Sequence, residues 1–259
     1  MKVFSVCGIS GSGKTTTIEA IIAELCRRGY RVGSLKDIHR EGFTIDPVET
    51  ANTRRHKAAG STLVCARGFD ETSMLYPGKM DMDKALDFYE RDRYEWVVLE
   101  GVSDIAVPTI VTAHGAEDLA QKWGPMAFAV SGRYAAEIEE HDGKPAIDAT
   151  ADIARLVDLI ELKVYDRLPN FPPECCMVCG SDCAGLAAAI IAGEKRRADC
   201  VADQGVELFV NGRRIKMVPF VQALLKNALV GVVSELEGYE KGCEISVKLS
   251  DNLLQIETE

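Results

Sequence analysis

Residues 8–15 form a glycine-rich segment, Gly-Ile-Ser-Gly-Ser-Gly-Lys-Thr, between an apolar run and an amphipathic stretch. The spacing matches the phosphate-binding motif G-x-x-x-x-G-K-[ST], which requires a strand before it and a helix after it. Glycines let the backbone turn tightly and direct N–H groups at phosphate oxygens, while the helix N-terminus adds partial positive charge. The segment therefore predicts a nucleoside triphosphate site. Its nucleotide-binding residues are predicted to be Gly8, Ser10, Gly11, Ser12, Gly13, Lys14, Thr15 and Thr16.

Three residues are predicted to be catalytic: Lys14, Glu100 and Asp37. Lys14 would bridge the terminal phosphates, and Thr15 would give its hydroxyl to Mg²⁺. Glu100 follows an apolar run, which places it at the carboxyl end of a strand, where it can hold Mg²⁺ or orient a water. Asp37 and the nearby His39 are weaker candidates to face the terminal phosphate. The alternatives are a solvated strand-end acid for Glu100 and ordinary turn residues for Asp37 and His39.

Short β-branched runs alternate with amphipathic stretches over the first 165 residues, which predicts an α/β fold with a mostly parallel sheet. The runs predicted as buried strands are Val3 to Cys7, Val32 to Lys36, Thr62 to Ala66, Trp96 to Leu99, Thr109 to Ala113 and Ala127 to Ser131. A helix with apolar positions at Ile18, Ile21, Ile22 and Leu25 follows the phosphate loop. Further helical patterns cover Val48 to Ala59, Asp83 to Arg91 and Thr150 to Val164.

The pattern changes after residue 165. We predict a P-loop NTPase domain over residues 1–165, a proline-rich linker over 166–174, a cysteine-rich module over 175–203 and a small ββαβ module over 204–259. In the last module Asn211-Gly212 is typical of a hairpin turn before a strand from Ile215 to Val218. An apolar helix from Pro219 to Leu236 is predicted to form its core, and a last strand is predicted near Glu244 to Leu249.

Several segments of the first domain together resemble the MobB family of molybdopterin-guanine dinucleotide biosynthesis adapter proteins, which are SIMIBI-type P-loop GTPases. They are the phosphate loop, Leu35 to Arg40, Ile45-Asp46-Pro47, Arg54 to Gly60 and Leu99-Glu100-Gly101. The resemblance implies a homodimeric GTP-binding protein that assists nucleotide attachment to molybdopterin. Its implied partners are a molybdopterin guanylyltransferase, a molybdenum or tungsten enzyme, or both. No Asn-Lys-x-Asp guanine motif is present, so the residues alone indicate GTP or ATP.

Four of the nine cysteines have the spacing Cys176-x2-Cys179-x3-Cys183-x16-Cys200. Thiolates bind both Zn²⁺ and iron–sulfur clusters, so the spacing predicts a metal site. The segment resembles the four-cysteine [4Fe–4S] domain of corrinoid iron–sulfur proteins, which favours a cluster. A structural Zn²⁺ and metal-free buried thiols are the alternatives. The solitary cysteines Cys7, Cys26 and Cys65 lie in apolar patterns and are predicted to be small buried hydrophobes.

Composition limits the remaining functions. The net charge of −10 argues against a general nucleic-acid-binding surface, and no apolar run approaches the length of a membrane span, so we expect a cytoplasmic protein without nucleic-acid or membrane partners. The leading hypothesis is a slow GTPase that acts in molybdenum or tungsten cofactor maturation and carries an iron–sulfur module. A nucleotide-driven metallocluster carrier and a small-molecule P-loop kinase are the alternatives.

Overall fold

The computed structural model describes residues 1–40, 43, 52–102, 104–174, 176–202, 206–210, 213–215 and 217–247. Its contacts group the chain into two compact units, Met1–Val201 and Ala202–Glu259. The helices and strands of the first unit are β1 (Lys2–Gly8), α1 (Lys14–Arg27), β2 (Val32–Lys36), α2 (Asn52–Ala58), β3 (Val64–Arg67), β4 (Thr72–Leu75), α3 (Met82–Arg91), β5 (Trp96–Glu100), β6 (Thr109–Thr112), α4 (Ala116–Lys122), β7 (Ala127–Ser131), β8 (Glu140–His141), β9 (Lys144–Pro145), α5 (Ile153–Lys163) and α6 (Cys183–Ala192).

The first unit is built on a five-stranded sheet with the order β2-β5-β1-β6-β7. All four neighbouring pairs are parallel, with Val3 opposite Val97 and Cys7 opposite Val111. The predicted α/β fold is confirmed, and five of the six predicted strands form this sheet. β1, β5, β6 and β7 are strongly apolar because helices or connecting segments cover both of their faces.

Helices cover both faces of the sheet. On one face, Ile21 of α1 and Ile160 of α5 pack against Phe4 of β1. On the other face, Leu86 of α3 packs with Val97, and Leu119 of α4 packs with Val130. The apolar residues of α1 recur at i, i+3 and i+4, so they face the sheet together. Each fully buried Leu or Ile side chain contributes about 1.5–3 kcal/mol to the stability of the fold. The residues of the central strands β1, β5 and β6 are therefore buried on both faces of the sheet.

The prediction of a buried sheet strand at Thr62 to Ala66 was wrong. The strand observed there, β3, pairs antiparallel with β4 in a separate two-stranded sheet. Gly68 donates its backbone N–H to the carbonyl of Glu71 at 2.8 Å and closes the hairpin. Only Val64 of the strand is buried, because no second layer covers the hairpin.

The predicted helices near residues 83 and 150 are confirmed as α3 and α5. Asp81 and Asp152 cap them by accepting hydrogen bonds from the backbone N–H groups of Lys84 and Arg155. In the pattern from Val48 to Ala59, the structure describes α2 over Asn52–Ala58. Residues 48–51, together with Ile45-Asp46-Pro47, lie outside the described residues.

The proline-rich segment after α5 is attached to the sheet domain. Arg167, with a side chain that is 8% exposed, forms ion pairs with Asp83 and Asp87 of α3. Arg197 donates to the carbonyl of Asp166 at 2.8 Å. Leu168 packs with Leu186 of α6 and with thiols of the cysteine segment. The members of this cluster are Leu168, Leu186, Ala187, Ala106, Met126, Tyr165, Cys179, Ile190 and Cys200. In these contacts residues 166–201 belong to the first unit.

The second unit contains β10 (Leu208–Val210), β11 (Arg213–Ile215) and α7 (Pro219–Val233). The two strands pair antiparallel, as the hairpin prediction requires, although Asn211-Gly212 lies outside the described residues. β11 ends at Ile215, three residues before the predicted end of that strand at Val218. Residues 244–247 form no strand, so the described part of the module is ββα.

The predicted core face of α7 was also wrong. Phe220, Leu224, Val232 and Leu236 are 60–75% exposed, and within the helix Pro219 and Gln222 are the buried residues. Two strands of three residues present too small a face to cover a four-turn helix. None of the helices in the described part of the chain is long and apolar enough to cross a membrane.

Candidate nucleotide site

The phosphate loop connects the end of β1 to the start of α1, and its glycines have the backbone geometry that the motif requires. Gly8, Gly11 and Gly13 have φ angles of 155°, 77° and 100°. A Cβ on Gly8 would lie 2.2 Å from the carbonyl oxygen of Thr112. The backbone of the loop lies directly against β6, so only glycine fits at this position. The loop can thus present its N–H groups as a phosphate cradle.

A pair of buried hydroxyls fixes the loop from below. The Oγ atom of Ser12 lies 2.7 Å from Oγ1 of Thr112, and each hydroxyl reaches a backbone carbonyl, that of Ile9 at 2.9 Å and that of Cys7 at 3.1 Å. Ser12 and Thr112 are both fully buried. The side chain of Ser12 therefore supports the loop from beneath, whereas the other predicted phosphate-loop residues line the cavity above it. Thr112 was missed because it is 100 residues away in sequence.

Lys14 folds back over its own loop. Its Nζ atom donates to the carbonyl of Gly8 at 3.0 Å and also contacts the carbonyl of Ile9. Burial lowers the pKa of the Lys14 amine, and the nearby Glu100 carboxylate acts against that shift. The amine thus donates to neutral carbonyl oxygens at the loop. Phosphate oxygens of a bound nucleotide would take the place of these acceptors and form stronger, charge-assisted hydrogen bonds.

The structure brings Thr15 and Glu100 together. Oγ1 of Thr15 lies 3.4 Å from Oε1 of Glu100, and Nζ of Lys36 lies 2.9 Å from the same carboxylate oxygen. A hydroxyl and a carboxylate oxygen beside a phosphate loop are donors that suit Mg²⁺, which takes its other ligands from phosphates and water. These residues therefore fit the metal that the motif implies.

Asp37 lines the same cavity, but its carboxylate already has a partner. Nζ of Lys79 donates to Oδ2 of Asp37 at 3.0 Å, and the Asp37 side chain is 10% exposed. His39 lies beside it, with Nε2 2.8 Å from the carbonyl oxygen of Gly101. Lys79 belongs to the turn after β4, and no sequence spacing connects it with Asp37. The Asp37 carboxylate is thus engaged by Lys79 at the edge of the cavity.

The cavity above the loop has a volume of about 1010 Å³. Its lining includes residues far from the loop in sequence, namely Val102, Ile105, Gln121, Lys122, Met126, Gly132, Arg133, Asp148 and Thr150. Sequence reasoning missed these residues. Asp148 had a local signal, since Asp-x-Thr before a helix is typical of an Asx turn, and its Oδ1 accepts from the backbone N–H of Thr150 at 2.8 Å.

The four spaced cysteines lie around the start of α6 and the turn at Cys200. Burial raises the pKa of the Cys183 thiol, the backbone N–H of Phe171 acts against this shift, and the Cys200 and Cys176 thiols add to it. Their thiol chemistry suits soft metals. However, the described residues contain no group of three or more His, Cys, Asp or Glu side chains that could hold a metal ion. The predicted [4Fe–4S] or Zn²⁺ site is therefore not confirmed.

The solitary cysteines also differ from expectation. Cys26 and Cys65 are exposed, whereas Cys7 is partly buried near the phosphate loop. The apolar patterns around Cys26 and Cys65 belong to neighbours on the opposite side of the helix or strand.

Comparison with known proteins identifies the family. Residues 3–132 match the family model for MobB, described as molybdopterin guanine dinucleotide synthesis protein B. The chain belongs to the MobB family. The match includes the phosphate loop, Glu100 and Thr112, and thus the centre of the site.

Two relatives illustrate how far the similarity extends. A Methanocaldococcus jannaschii protein, provisionally named as a molybdopterin-guanine dinucleotide biosynthesis adapter protein, is 25% identical over 259 residues, covering 98% of this chain and 100% of the relative. A Bacillus subtilis protein with the same provisional name is 27% identical over 161 residues, covering 62% of this chain and 93% of the relative. The crystal structure of Bacillus subtilis MobB matches with a TM-score of 0.51 and 25% identity, covering 64% of this chain and 100% of that one. The two Bacillus matches therefore span less than two thirds of this chain, whereas the match to the archaeal relative spans nearly all of it.

Proposed function

We propose that this chain is a GTP-binding adapter protein in molybdopterin guanine dinucleotide biosynthesis or delivery. The observation that carries the proposal is the placement of Lys14, Thr15 and Glu100 around one phosphate loop inside the region that matches the MobB model. The names of the relatives supply the pathway. A molybdopterin guanylyltransferase, or a molybdenum or tungsten enzyme, is the partner consistent with an adapter. The family match favours neither the metallocluster carrier nor the small-molecule kinase.

One lining residue of the cavity supports GTP over ATP. Asp148 contributes a carboxylate to the cavity above the phosphate loop. A carboxylate only accepts hydrogen bonds, and the edge of guanine offers two adjacent N–H donors, whereas adenine offers one donor beside an acceptor. Asp148 can therefore recognise guanine in place of the missing Asn-Lys-x-Asp motif.

Hydrolysis would depend on Glu100 and Mg²⁺. For Glu100→Gln we expect GTP binding to persist and single-turnover hydrolysis to slow by about 100-fold, because the carboxylate positions the metal and water rather than the phosphates. The matched control is Glu117→Gln, an exposed acid in the first turn of α4, which should hydrolyse GTP like the parent. Hydrolysis at the parental rate in Glu100→Gln, or hydrolysis without Mg²⁺, would contradict this role.

A homodimer is part of the proposal. The β3–β4 hairpin and the residue before it expose Leu63, Phe69 and Met74, of which Phe69 at the turn is fully exposed. Exposed apolar side chains grouped on a hairpin are typical of an association surface. Sedimentation equilibrium should give twice the chain mass for the parent and the single-chain mass for Phe69→Asp. A monomeric parent would contradict the dimer.

We further propose that Cys176, Cys179, Cys183 and Cys200 bind a [4Fe–4S] cluster. Its support is their spacing and the proximity of Cys183 to the Cys176 and Cys200 thiols. A cluster would supply a redox-active or structural centre when bound; the backbone of Phe171 and Asn170, which acts to lower the pKa of the Cys183 thiol, would stabilise its thiolate charge.

Anaerobically prepared protein should contain about four irons per chain and absorb near 400 nm. Cys183→Ser and Cys200→Ser should lose the iron, whereas the exposed Cys26→Ser and Cys65→Ser should retain it. A content of about one zinc per chain with negligible iron would contradict the cluster and indicate a structural Zn²⁺ site instead.

A further inference from the structure

Lys36 is a second lysine beside the phosphate loop, in addition to Lys14. It is the last residue of β2, and the register of the parallel pair places it directly opposite Glu100 at the end of β5. The backbone N–H of Asp37 donates to the carbonyl of Glu100 at 3.0 Å and continues this register past the strand end. Because ligands collect at the carboxyl ends of parallel strands, Lys36 lines the same cavity as the phosphate loop.

The amine of Lys36 uses the carboxylate oxygen that lies nearest to Thr15. Its Nζ atom donates to Oε1 of Glu100 at 2.9 Å, and Oγ1 of Thr15 lies 3.4 Å from the same oxygen. Thr15 and Glu100 are the residues that suit Mg²⁺. A divalent ion held by these two oxygens would repel an ammonium group bonded to one of them, because like charges at such short range interact strongly. Lys36 and Mg²⁺ therefore compete for Glu100.

The ion pair has one mobile partner and one fixed partner. The Lys36 side chain is 59% exposed and carries its amine on a flexible four-carbon stem, whereas the Glu100 side chain is 14% exposed. An ion pair with such an exposed partner is weak. A competing cation can thus displace the Lys36 amine at little cost, while the Glu100 carboxylate stays in place.

The terminal phosphate is the anion that the displaced amine would meet. Burial lowers the pKa of the Lys14 amine, and the Lys36 charge adds to this shift because the two amines are close enough to repel each other. In P-loop proteins the lysine of the loop and Mg²⁺ both contact the second and third phosphates. Lys36 enters the cavity beside the Mg²⁺ residues, so the third phosphate lies between its amine and that of Lys14.

We propose that Lys36 is a catalytic residue that exchanges partners: it leaves Glu100 when Mg²⁺ binds there and donates to an oxygen of the terminal phosphate of GTP. The inference rests on the proposed nucleotide site and adds to it the residue that detects the third phosphate. It also gives the chain a second side-chain cation, next to Lys14, for charge that develops during hydrolysis.

The hydrolysis step shows where this cation acts. The oxygen of a water molecule bonds to the terminal phosphorus while the bond from this phosphorus to the bridging oxygen breaks. The electron pair of the broken bond stays on GDP, the hydroxyl of the water stays on the inorganic phosphate, and the other proton of the water passes to solvent. The equatorial oxygens of the transferred group carry the negative charge in the transition state, and Lys36 stabilises that charge.

The test compares two nucleotides that differ by the phosphate in question. The imido analogue of GTP, which resists hydrolysis, and GDP are each titrated with Mg²⁺ into the full-length parent and into Lys36→Met. Methionine keeps most of the apolar stem and removes the charge. We expect Lys36→Met to bind the GTP analogue at least tenfold more weakly and GDP as the parent does, since a charge-assisted hydrogen bond corresponds to a factor of roughly 10 to 150. Lys163→Met, at the end of α5, is the control and should bind both nucleotides like the parent.

Metal affinity and single-turnover kinetics give two further readouts. Mn²⁺, a spectroscopic substitute for Mg²⁺, should bind the GDP complex of Lys36→Met several-fold more tightly than that of the parent, because the competing amine is gone. Hydrolysis of GTP by Lys36→Met should slow by about 100-fold. Lys36→Arg keeps the charge and should restore most of the preference for the GTP analogue over GDP.

Three results would overturn this role for Lys36. They are parental affinity of Lys36→Met for the GTP analogue, equal weakening of the GTP analogue and GDP, and weaker Mn²⁺ binding in Lys36→Met. The last two would show that the ion pair only orients Glu100. A parent that binds neither nucleotide would instead overturn the proposed nucleotide site, and the role of Lys36 with it.

Discussion

Lys14→Ala should raise the dissociation constant for GTP·Mg²⁺ by about 100-fold. The amine is the one side-chain cation of the phosphate loop, and a hydrogen bond to a charged group contributes about 1.5–3 kcal/mol, or a factor of roughly 10 to 150 in affinity. Its present acceptors are the carbonyls of Gly8 and Ile9, which water can satisfy in its absence. Calorimetric titration with GTP and with ATP measures the loss.

The fold should survive this change. Lys14 is the first residue of α1, and alanine is a better helix former than lysine, so the melting temperature should stay close to that of the parent. Lys163→Ala serves as the control for loss of one positive charge from a helix of the same unit and should bind GTP normally. If Lys14→Ala binds GTP as tightly as the parent, the loop does not hold the triphosphate.

Gly132→Ala should destabilise the first unit by about 3 kcal/mol. Gly132 has φ of 73°, a conformation that costs a residue with a Cβ about 1–3 kcal/mol. The added Cβ would also lie 2.4 Å from the carbonyl oxygen of Ser12 and 2.9 Å from Cβ of Thr112. Both contacts are with rigid, buried parts of the phosphate loop support, so the loop itself must move. The melting temperature should fall by roughly 6–12 °C, and GTP affinity should fall with it.

The matched control is Gly115→Ala. Gly115 has an extended φ of −171°, and no heavy atom lies within 4 Å of its ideal Cβ. It caps α4, where replacement of glycine by alanine costs under about 1 kcal/mol. Thermal melts followed by circular dichroism compare the two variants. Equal stability of Gly132→Ala and Gly115→Ala would show that the close approach between β7 and the phosphate loop is not a constraint.

Several features of the site could be predicted because they depend on short-range spacing. The G-x-x-x-x-G-K-T motif sets the loop, and the apolar run before Glu100 places that acid at the carboxyl end of β5. Both depend on bonds and turns within a few residues. The contact between Thr15 and Glu100 then follows from the general rule that ligands collect at the carboxyl ends of parallel strands.

Other features could not be predicted because they depend on which elements become neighbours. Asp37 is paired with Lys79, although nothing in sequence connects the two. The strand at residues 64–67 has the composition of a core strand, but it pairs with β4 and not with the main sheet. In α7 the apolar spacing is correct for a buried face, yet that face is exposed because the described module has no layer large enough to cover it.

The sequence by itself determined the phosphate loop, the parallel α/β sheet and the position of Glu100, since local backbone geometry and alternating apolar runs encode them directly. The tertiary structure decided the partner of Asp37, the support of the loop by Ser12 and Thr112, and the lining of the cavity. The physical reason is that a cavity is the space left between elements distant in the chain, and side-chain pairs across it depend on strand order and on which face each helix covers.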